Sequence, residues 1–559
     1  MGETYGSLTL TFADREAWVL GTVLERRAVT HRDRPCLQWE DGPALTYDQV
    51  NRTVNRWAHG LSRAGVTHGD RVLLFLPNCL EYLFAWFALN KLGAIQVPVN
   101  TSYRGYFLEH VANNCAARVA VVDAQFLSHF EQSEDAMPTL ATLYVRGRPE
   151  AAPAFRRIVP RDIGELEADD DGNPGIAVTC RDIAAILFTS GTTGPSKGVL
   201  MPHAQLYFFA EEGANVVRLT DADVYMTGFP LFHGNAQFLA VYPSLIRGAH
   251  VVLYEYFSAT EWIDRVRRTG TTVTNLLGVT MDFVFKQPPR PDDGDNRLRA
   301  IYAAPPAVSI MDDFKRRFGV QTFVNAFGQT EACLPLMTPY EGERPPDAVG
   351  KVVADWFDVR LVDPETDEEV PVGVMGELVV RPKIPWLICA GYNGQPEATA
   401  RTMRNLWWHT GDGMWRDEAG WFYFVDRVND ALRVRGENVS SYEVEQVILS
   451  HPAVADCAVV SVRSEVEGGE HEIKACVVPA PGATLSGEEL VRFCEARMPY
   501  FAVPRYVEYL EELPKTPSAK IQKYLLRKSG VAPSTWDRVK AGVVLEHHAA
   551  KRSRRERRA

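Results

Sequence analysis

A run of hydroxyl, glycine and lysine residues near position 190 has the chemistry of a polyphosphate-binding loop. It follows an apolar strand pattern in the segment Ile186-Leu-Phe-Thr-Ser-Gly-Thr-Thr-Gly-Pro-Ser-Lys-Gly-Val199. Glycines let backbone N–H groups approach phosphate oxygens, hydroxyls donate hydrogen bonds, and a lysine supplies positive charge. The segment is not a Walker A loop, because that motif would need a glycine at Ser196 and a hydroxyl at Gly198. A flexible surface turn is the competing interpretation. The candidate nucleotide-binding residues here are Thr189, Ser190, Gly191, Thr192, Thr193, Gly194 and Lys197.

Four more segments that could take part in catalysis or binding follow this loop along the chain. They are Phe327-Gly-Gln-Thr-Glu331, Thr410-Gly-Asp412, Asp426-Arg427 and Leu513-Pro-Lys-Thr-Pro-Ser-Ala-Lys520. Together with the loop, they resemble the adenylate-forming superfamily of acyl-CoA synthetases, luciferases and peptide-synthetase adenylation domains. The segments Arg435-Gly-Glu-Asn-Val-Ser440 and Arg492-Phe-Cys-Glu495 resemble its carnitine and medium-to-long-chain acyl-CoA ligase branch.

This resemblance implies an ATP-dependent acid–CoA ligase that uses ATP or AMP, Mg²⁺ and coenzyme A. Such an enzyme converts a carboxylate into an acyl-AMP, whose AMP is a good leaving group, and then forms a thioester. Cations must offset a repulsion of several kcal/mol between the carboxylate and the triphosphate. By resemblance, Glu331 holds Mg²⁺, Thr330 contacts the α-phosphate, and Lys520 bridges carboxylate and phosphate. These three residues are the predicted catalytic set.

The predicted contacts to the rest of the nucleotide and to coenzyme A rest on the same resemblance. Asp412 is expected to accept hydrogen bonds from the ribose hydroxyls, with Arg427 beside it, and Gly436 to help guide the pantetheine thiol. The remaining nucleotide-binding candidates are Ala303, Ala304 and Pro305, against which adenine would stack, with Asn325 and Phe327. Taken singly, a Glu is usually a solvated charge and an Asp after Thr-Gly usually caps a turn. The shared order of the segments favours the functional interpretation.

The acid pocket is assigned by resemblance to the segment Pro230-Leu-Phe-His-Gly-Asn235 and to residues expected near it. The candidates are Phe232, His233, Asn235, Gly278, Met281, Gly328 and Leu334. For His233, an ordinary buried or capping histidine is as good an interpretation as one that gates the pocket. The apolar candidates, with Phe238, point away from a small hydrophilic acid such as an amino acid. They do not identify the acid.

Composition excludes several other classes of protein. The chain has 559 residues and a formal net charge of -11, so it has no general attraction for nucleic acid. Its nine cysteines form no C-x-x-C pair, which argues against zinc and against a disulfide framework. There is no signal-peptide pattern and no apolar stretch of about 18 residues. A cytoplasmic enzyme without an integral membrane segment is therefore expected, acting on small molecules. A homodimer is compatible with the sequence.

The order of strand and helix patterns predicts the elements that position these residues. Apolar runs alternate with amphipathic helices up to about residue 350, which predicts a large α/β domain with a mainly parallel sheet. Residues 351–425 are rich in short alternating runs and predict a β-barrel-like subdomain. We predict an N-terminal domain over residues 1–427, which binds acid and ATP. A small mobile α+β domain over 428–530 would carry the catalytic lysine. A basic disordered tail would follow over 531–559, unless this segment is a nucleic-acid arm.

Departures from the superfamily pattern leave more than one function open. Ala519 stands where glycine usually precedes the lysine, Asn429 replaces a lysine beside the hinge, and Arg435 replaces a glycine. These residues raise the hypothesis of a thioester-forming enzyme with weak adenylation that accepts a preformed acyl-AMP. A luciferase-like oxygenase, an enzyme that loads a carrier protein and a regulatory nucleotide-binding protein are also compatible with the motifs. No carrier or condensation pattern follows Lys520, which disfavours a peptide-synthetase module.

Overall fold

The computed structural model describes residues 4–189, 195–427, 431–434, 437–463, 471–514 and 521–546. Its strands, in chain order, are β1 (Pro35–Trp39), β2 (Ala44–Thr46), β3 (Arg71–Phe75), β4 (Ile95–Pro98), β5 (Val119–Asp123), β6 (Thr142–Arg146), β7 (Val159–Asp162), β8 (Ile183–Thr189), β9 (Lys197–Pro202), β10 (Val224–Thr227), β11 (His250–Leu253), β12 (Val273–Leu276), β13 (Ala300–Ala303), β14 (Thr322–Val324), β15 (Ala326–Gln329), β16 (Cys333–Met337), β17 (Ala348–Val352), β18 (Phe357–Val362), β19 (Gly376–Pro382), β20 (Trp408–Arg416), β21 (Phe422–Arg427), β22 (Ala431–Val434), β23 (Glu437–Ser440), β24 (Val454–Val462), β25 (Glu472–Pro479), β26 (Tyr506–Tyr509) and β27 (Trp536–Asp537).

Helices connect and cover these strands. They are α1 (Leu20–Thr30), α2 (Tyr47–Arg63), α3 (Leu80–Lys91), α4 (Tyr106–Asn114), α5 (Leu127–Ser133), α6 (His203–Val216), α7 (Gly234–Ala236), α8 (Tyr242–Arg247), α9 (Trp262–Thr269), α10 (Gly278–Phe285), α11 (Met311–Phe318), α12 (Pro396–Thr402), α13 (Ser441–Leu449), α14 (Gly487–Glu495) and α15 (Lys523–Lys528). A π-helical turn, Gln237–Val241, joins α7 to α8. Within the described residues, none of these helices is both long and apolar enough to cross a membrane.

Two parallel sheets form the body of the N-terminal part, which confirms the predicted α/β class. The strand order is β14-β13-β12-β10-β11-β1-β2 in one sheet and β7-β6-β5-β3-β4-β8-β9 in the other, with β2 and β9 antiparallel to their neighbours. Helices α3 and α6 are apolar around most of their circumference and lie in the main hydrophobic core, where Trp86 and Phe208 are fully buried. A helix without a polar face must be covered on all sides, which fixes both helices inside the domain.

The β-rich segment forms a third, antiparallel sheet with the order β15-β16-β17-β21-β20-β19-β18. The sequence pattern over residues 321–327 predicts one strand, but the structure divides it between two sheets at Asn325. The backbone N–H of Asn325 donates to Thr338 Oγ1 at 2.8 Å, and its carbonyl accepts from the Thr338 N–H at 2.9 Å. These bonds end the parallel strand and begin the antiparallel one.

The C-terminal part has a hairpin, β22–β23, and a mixed sheet, β24-β25-β26-β27, covered by α13 and α14. This arrangement confirms the predicted small α+β domain, while the predicted boundary at residue 428 lies outside the described residues. The prediction of a disordered tail from residue 531 is wrong for residues 531–546. In this segment β27 pairs with β26, and Asp537 forms a buried ion pair with Arg505 at 3.2 Å. Residues 547–559 lie outside the described residues.

A second difference concerns residues 150–173, whose Pro, Asp and Glu content predicts a surface excursion. The structure places β7 there, parallel to β6. All residues of β7 are exposed, because it is an edge strand with little side-chain packing. An exposed edge strand has no apolar pattern, so composition alone does not reveal it.

Helix α4 and the nucleotide loop of the large part contact the small domain. The side chain of Phe107 lies in the hydrophobic cluster of the small domain, with Tyr103 and Tyr106 packed against it. The carboxylate of Glu443, on α13, accepts a hydrogen bond from the backbone N–H of Ser196 at 2.8 Å. The ring Nε2 of His110 lies 2.7 Å from the carbonyl oxygen of the same Ser196. The small domain therefore rests directly on the predicted phosphate-binding segment.

Candidate active site

The predicted phosphate-binding segment connects two antiparallel strands, β8 and β9. Thr189 ends β8 and Lys197 begins β9, and the two residues are paired across the ladder. The ammonium group of Lys197 lies 4.6 Å from the ring centroid of Tyr392. The hairpin register thus places a hydroxyl and a cation together at the base of the loop. The loop residues Ser190, Gly191, Thr192, Thr193 and Gly194 lie outside the described residues.

Glu331 occupies the turn between β15 and β16 and faces the base of this loop. Its Oε1 accepts hydrogen bonds from Thr189 Oγ1 at 3.2 Å and from the Tyr392 hydroxyl at 3.0 Å. Gln205, on α6, donates to the carbonyl oxygens of Thr330 at 2.8 Å and Glu331 at 3.1 Å. Gln205 therefore holds the backbone of the turn, and two hydroxyl groups orient the Glu331 carboxylate.

Burial and charge set the protonation behaviour of the groups around Glu331. Burial lowers the pKa of Lys197, an effect that Glu331 opposes and Arg401 reinforces. Burial raises the pKa of the Tyr392 hydroxyl well above its usual range, and the negative charge of Glu331 raises it further. Tyr392 is therefore a neutral phenol that donates to the carboxylate, and Lys197 is partly desolvated beside it.

Asp412 lies on β20, almost fully buried at 2% exposure. The side-chain amide of Gln329 donates to Asp412 Oδ2 and, at 2.8 Å, to the Thr410 carbonyl oxygen. This bridge connects the Phe327–Glu331 segment to the Thr410–Asp412 segment. Asp412 is also paired in register with Arg427 on β21. Hydrogen bonds thus join two motifs that are far apart in the sequence.

Glu377 supports the backbone that carries Asp412. Its Oε1 accepts from the Gly411 N–H at 2.9 Å, and its Oε2 lies 3.0 Å from His409 Nδ1. Burial disfavours the Glu377 carboxylate, but the hydrogen bonds from His409 and Gly411 outweigh that cost and hold its pKa below the usual range. The charge is therefore retained where it can fix the turn.

The predicted adenine strip lies where β13 ends. Ala303 is the last residue of β13, and the Pro305 carbonyl accepts from the Gly278 N–H at 2.8 Å. The ends of parallel strands in an open sheet are the usual place for a ligand crevice. The Phe327 ring, on β15, lies 6.5 Å from the Phe424 ring and nearly parallel to it. The buried Asn325 lies between β14 and β15.

The predicted acid-pocket residues lie in α7 and just before it, in α10, and on β15 and β16. Asn235 accepts from the side-chain amide of Asn275 at 2.5 Å, and the rings of Phe232 and His233 lie 4.7 Å apart. A Cβ at Gly328 would lie 2.2 Å from the Cys333 carbonyl oxygen, so the turn requires glycine there. The half-buried candidates are Phe232, His233, Asn235 and Gly278, whereas Leu334 and Met281 are buried.

Met281 differs from the other pocket candidates in its surroundings. It is fully buried in a hydrophobic cluster formed by α9, α10 and α11 with the strands beneath them. In this position it supports α10 from the core side. The assignment of Met281 to the pocket wall remains a prediction.

Several residues that shape this site were not among the predicted set. Gln329 lies within the Phe327–Glu331 motif, and its position there is the signal that marks it. Gln205, Tyr392 and Glu377 carry no such signal, because each acts through contacts with residues at least 32 positions away in the sequence.

The remaining predicted residues are described in part or not at all. Lys520 and Gly436 lie outside the described residues, as do Asn429, Arg435 and Ala519, and for Arg427 only the backbone pairing is described. The roles assigned to these residues therefore stay predictions.

The chemistry of the donor set fits a magnesium ion shared with a substrate better than a resident metal site. Within the described ranges, no group of three or more His, Cys, Asp or Glu side chains is arranged to hold a metal. Mg²⁺ typically takes one or two carboxylates together with substrate phosphates. Glu331, beside the phosphate loop and bonded to Thr189, meets that requirement.

Comparison with known proteins identifies the family to which this site belongs. The sequence profile described as AMP-binding enzyme matches residues 24–392, and the profile of the AMP-binding enzyme C-terminal domain matches residues 443–520. The chain belongs to the AMP-binding enzyme family. It is 34% identical over 497 residues to a crotonobetaine/carnitine–CoA ligase of Salmonella agona, covering 86% of this chain and 93% of the relative.

Solved structures of AMP-binding enzymes share its architecture. One is the anthranilate CoA ligase AuaEII in complex with anthranoyl-AMP. It has a TM-score of 0.67 and 25% identity, covering 91% of this chain and 97% of that one. Another is a double mutant of o-succinylbenzoate CoA synthetase from Bacillus subtilis, bound to a product analogue. It has a TM-score of 0.76 and 24% identity, covering 90% and 97%. The predicted superfamily and activity class, an ATP-dependent, AMP-forming acid–CoA ligase, are confirmed, and the rival classes are not favoured.

Proposed function

We propose that the chain activates a carboxylic acid in the crevice between β13, the β8–β9 loop and β20, and then passes the acyl group to coenzyme A. The observation that carries this proposal is the convergence of Thr189, Lys197 and Glu331 at the base of one loop, linked through Gln329 to the buried Asp412. In this assignment the phosphates of the nucleotide lie at the loop and its ribose lies at Asp412.

The first half-reaction joins the acid to AMP. A carboxylate oxygen attacks the α-phosphorus, and pyrophosphate leaves. In our assignment Thr330 donates to the α-phosphate, Lys197 attracts the outer phosphates, and Lys520 neutralises the charge that develops between carboxylate and phosphate. Mg²⁺, held by Glu331 with phosphate oxygens, would supply further positive charge to the leaving pyrophosphate.

The second half-reaction forms the thioester. The coenzyme A thiol, losing its proton, attacks the acyl carbonyl, and AMP leaves. We assign Gly436 to the passage for the pantetheine arm, and Asp412 with Arg427 to the ribose that stays bound throughout. Ala303, Ala304 and Pro305 are assigned to adenine, with Asn325 and Phe327 beside them. Relatives that act on crotonobetaine, carnitine, anthranilate and o-succinylbenzoate support a medium-sized organic acid as the substrate.

The direct test supplies ATP, Mg²⁺ and coenzyme A with a panel of aliphatic, aromatic and polycyclic acids, and detects the thioester by mass spectrometry. The proposed function predicts thioester formation that requires ATP and releases AMP. Complete inertness of the folded protein toward the panel would contradict it.

Asp412→Ala tests the nucleotide assignment independently of the acid. Loss of the charge-assisted hydrogen bonds to ribose should weaken AMP binding by about 2–4 kcal/mol in calorimetry. Glu418→Ala, an exposed change in the neighbouring turn, is the control and should bind AMP as the parent protein does. Unchanged affinity in Asp412→Ala would leave Asp412 with a structural role only.

A further inference from the structure

Glu212 is a buried, hydrogen-bonded carboxyl group that has no role in the proposed nucleotide chemistry. Glu212 lies near the middle of α6 and its side chain is fully buried. Its Oε2 accepts the backbone N–H of Leu334 at 2.8 Å. Its Oε1 is also buried and has no hydrogen-bond partner within the described part of the chain. A buried carboxyl oxygen without a partner is costly, so its retention needs an explanation.

The position of Glu212 relates this oxygen to the proposed acid pocket. Leu334 is a predicted wall residue, and its Cδ2 lies within 2.6 Å of a Cβ built at Gly328, another wall residue. Cys333, which precedes Leu334, has a left-handed φ of 56°, a conformation that costs about 1 kcal/mol for a residue with a side chain. The Glu212 carboxyl thus binds the backbone of β16 next to the strained residue Cys333, at a predicted pocket residue.

Neighbouring contacts place this part of α6 beside the segments that carry acid-pocket and adenine candidates. Gly213, the next residue of α6, is so close to the π-helical turn that a Cβ there would lie 3.1 Å from the Phe238 carbonyl oxygen. One helical turn earlier, the Phe209 ring lies 5.5 Å from the Phe238 ring. Tyr302, one residue before the adenine strip, is close enough for the charge of Glu212 to raise its pKa further after burial has raised it.

The protonation of Glu212 bears on what it can bind. Burial raises the pKa of its carboxyl well above the usual range, and the hydrogen bond from Leu334 only partly opposes this. A neutral carboxyl both donates and accepts hydrogen bonds, and a cation brought beside it would favour the charged form. Either state offers a hydrogen-bond acceptor, at Oε1, to a polar group of the substrate.

We infer that Glu212 is a specificity-determining residue, and that the acid taken by this enzyme carries a hydrogen-bond donor, a hydroxyl or an ammonium group, at the end remote from its carboxylate. This inference rests on the proposed function, because it assigns the substrate class of the same pocket. A site built to hydrogen-bond a substrate group discriminates strongly against the analogue that lacks it, since the protein group is then left unpaired. An apolar pocket does not have that property.

The experiment compares matched pairs of acids that differ only in the distal group. Suitable pairs are hexanoate with 6-hydroxyhexanoate or 6-aminohexanoate, and benzoate with 4-hydroxybenzoate or 4-(aminomethyl)benzoate. The parent enzyme should show a kcat/KM at least about tenfold higher for one polar-ended member than for its unsubstituted partner. Preference for the hydroxyl or for the ammonium member identifies which donor the site takes.

Glu212→Met removes the acceptor while keeping a similar volume, and the preference should fall to a ratio of about one. Glu212→Gln keeps an acceptor for Leu334 and a polar group for the substrate. It should retain a preference for a hydroxyl and lose a preference for an ammonium group. If Glu212→Met does not fold, Glu212→Gln decides where the parent prefers the ammonium member, because a purely structural role would leave that ratio unchanged. Where the parent prefers the hydroxyl member, Glu212→Ala replaces the Met variant, because it also removes the acceptor, and an unchanged ratio in that folded variant would overturn the assignment.

The outcomes separate this inference from the proposed function. Absence of thioester formation with every acid in the parent enzyme would contradict the proposed function. An active parent that prefers the unsubstituted acids, or a folded Glu212→Met variant with AMP affinity intact and an unchanged ratio, would overturn the assignment of Glu212 alone.

Discussion

Two hydroxyl groups orient the Glu331 carboxylate. A substitution at this position can therefore remove the charge and keep both hydrogen bonds. Thr189 and Tyr392 both donate to Oε1, while the backbone of the turn is held by Gln205. An amide at position 331 can accept the same hydrogen bonds through its oxygen. The change from carboxylate to amide therefore alters charge with little change in shape.

Glu331→Gln should slow pyrophosphate release in the first half-reaction by about 100-fold at low Mg²⁺, because a neutral amide is a weak ligand for a hard cation. The measurement is the rate of acid-dependent pyrophosphate release as a function of Mg²⁺ concentration. Glu397→Gln, on the exposed side of α12, is the matched control and should have the rate of the parent enzyme. A normal rate and a normal Mg²⁺ dependence in Glu331→Gln would contradict the assignment of Glu331 as a ligand of Mg²⁺.

His203 is a buried base whose ring has no hydrogen-bond partner among the described residues. The ring is fully buried, neither nitrogen has a hydrogen bond among the described residues, and burial lowers its pKa to about 4, with a small opposing effect of Asp182 and a reinforcing one of His68. Between pH 6.5 and pH 4 the unfolded chain binds a proton that the folded one excludes. The free energy of unfolding should therefore fall as the pH falls through this window.

The expected loss is about 3 kcal/mol from this single residue, complete near pH 4 and absent above pH 6.5. Urea unfolding of the parent, His203→Gln and His203→Phe at pH 7.5 and pH 4.5 measures it. Both variants lack the titrating group, so their stability should decline less than that of the parent over this range. An equal decline in all three proteins would mean that His203 does not titrate in this window.

The close approach of α2 to a neighbouring 3₁₀ turn limits which residues fit at position 60. Gly60 lies in α2, and a Cβ there would lie 1.9 Å from the backbone carbonyl oxygen of Leu166, in the 3₁₀ turn Ile163–Leu166. Helix propensity alone favours alanine over glycine by about 1 kcal/mol in a helix interior. Here the neighbour is backbone, which cannot rotate away, so the contact decides the sign.

Gly60→Ala should lower the free energy of unfolding by about 1–3 kcal/mol, because the turn must move away from α2. Ser62→Ala, two residues further along the same helix and exposed, should be neutral or slightly stabilising. Denaturant unfolding of the two variants compares the effects directly. A stabilised Gly60→Ala protein would show that the turn moves at no cost.

Element-level features explain which parts of the site are predictable from sequence. The apolar run that ends at Thr189 predicts a strand, and the amphipathic run Ser441–Leu449 predicts a helix; the structure confirms both. Motif order predicts that Glu331 and Asp412 serve one site, but not that Gln329 connects them. Tyr392 and Glu212 are invisible to any local pattern, because their roles arise from contacts made only after the sheets pack. The exposed strand β7 lacks the apolar alternation that would reveal it.

At the scale of the whole molecule, a polar contact in the described part of the chain joins the small domain to the nucleotide loop. Glu443 accepts the Ser196 N–H, and the pKa of its carboxyl is raised because it is buried, although Ser196 and His110 oppose that effect. The apolar side chain of Phe107 supplies a second anchor, inside the hydrophobic cluster of the small domain. The polar contact is therefore removable without dismantling either domain.

Glu443→Ala should shift the balance between the two half-reactions about fivefold, because a hydrogen bond of about 1 kcal/mol favours the docked orientation of the small domain. Acid-dependent pyrophosphate release and thiolysis of a synthetic acyl-AMP by coenzyme A are measured separately. Glu443→Gln retains an acceptor and is the control. Equal changes in both half-reactions would indicate a general loss of activity and contradict a role in domain orientation.

The contact between Glu443 and the Ser196 amide also has a consequence for how the substrates influence one another. The Ser196 N–H is bonded to Glu443 of the small domain, so a triphosphate that used this donor would compete with the docked domain for it. Thermodynamic reciprocity then requires equal effects in both directions. A ligand that favours the docked domain weakens ATP binding by the same factor by which ATP weakens the binding of that ligand. If coenzyme A favours this orientation of the small domain, then coenzyme A and ATP should each weaken the binding of the other.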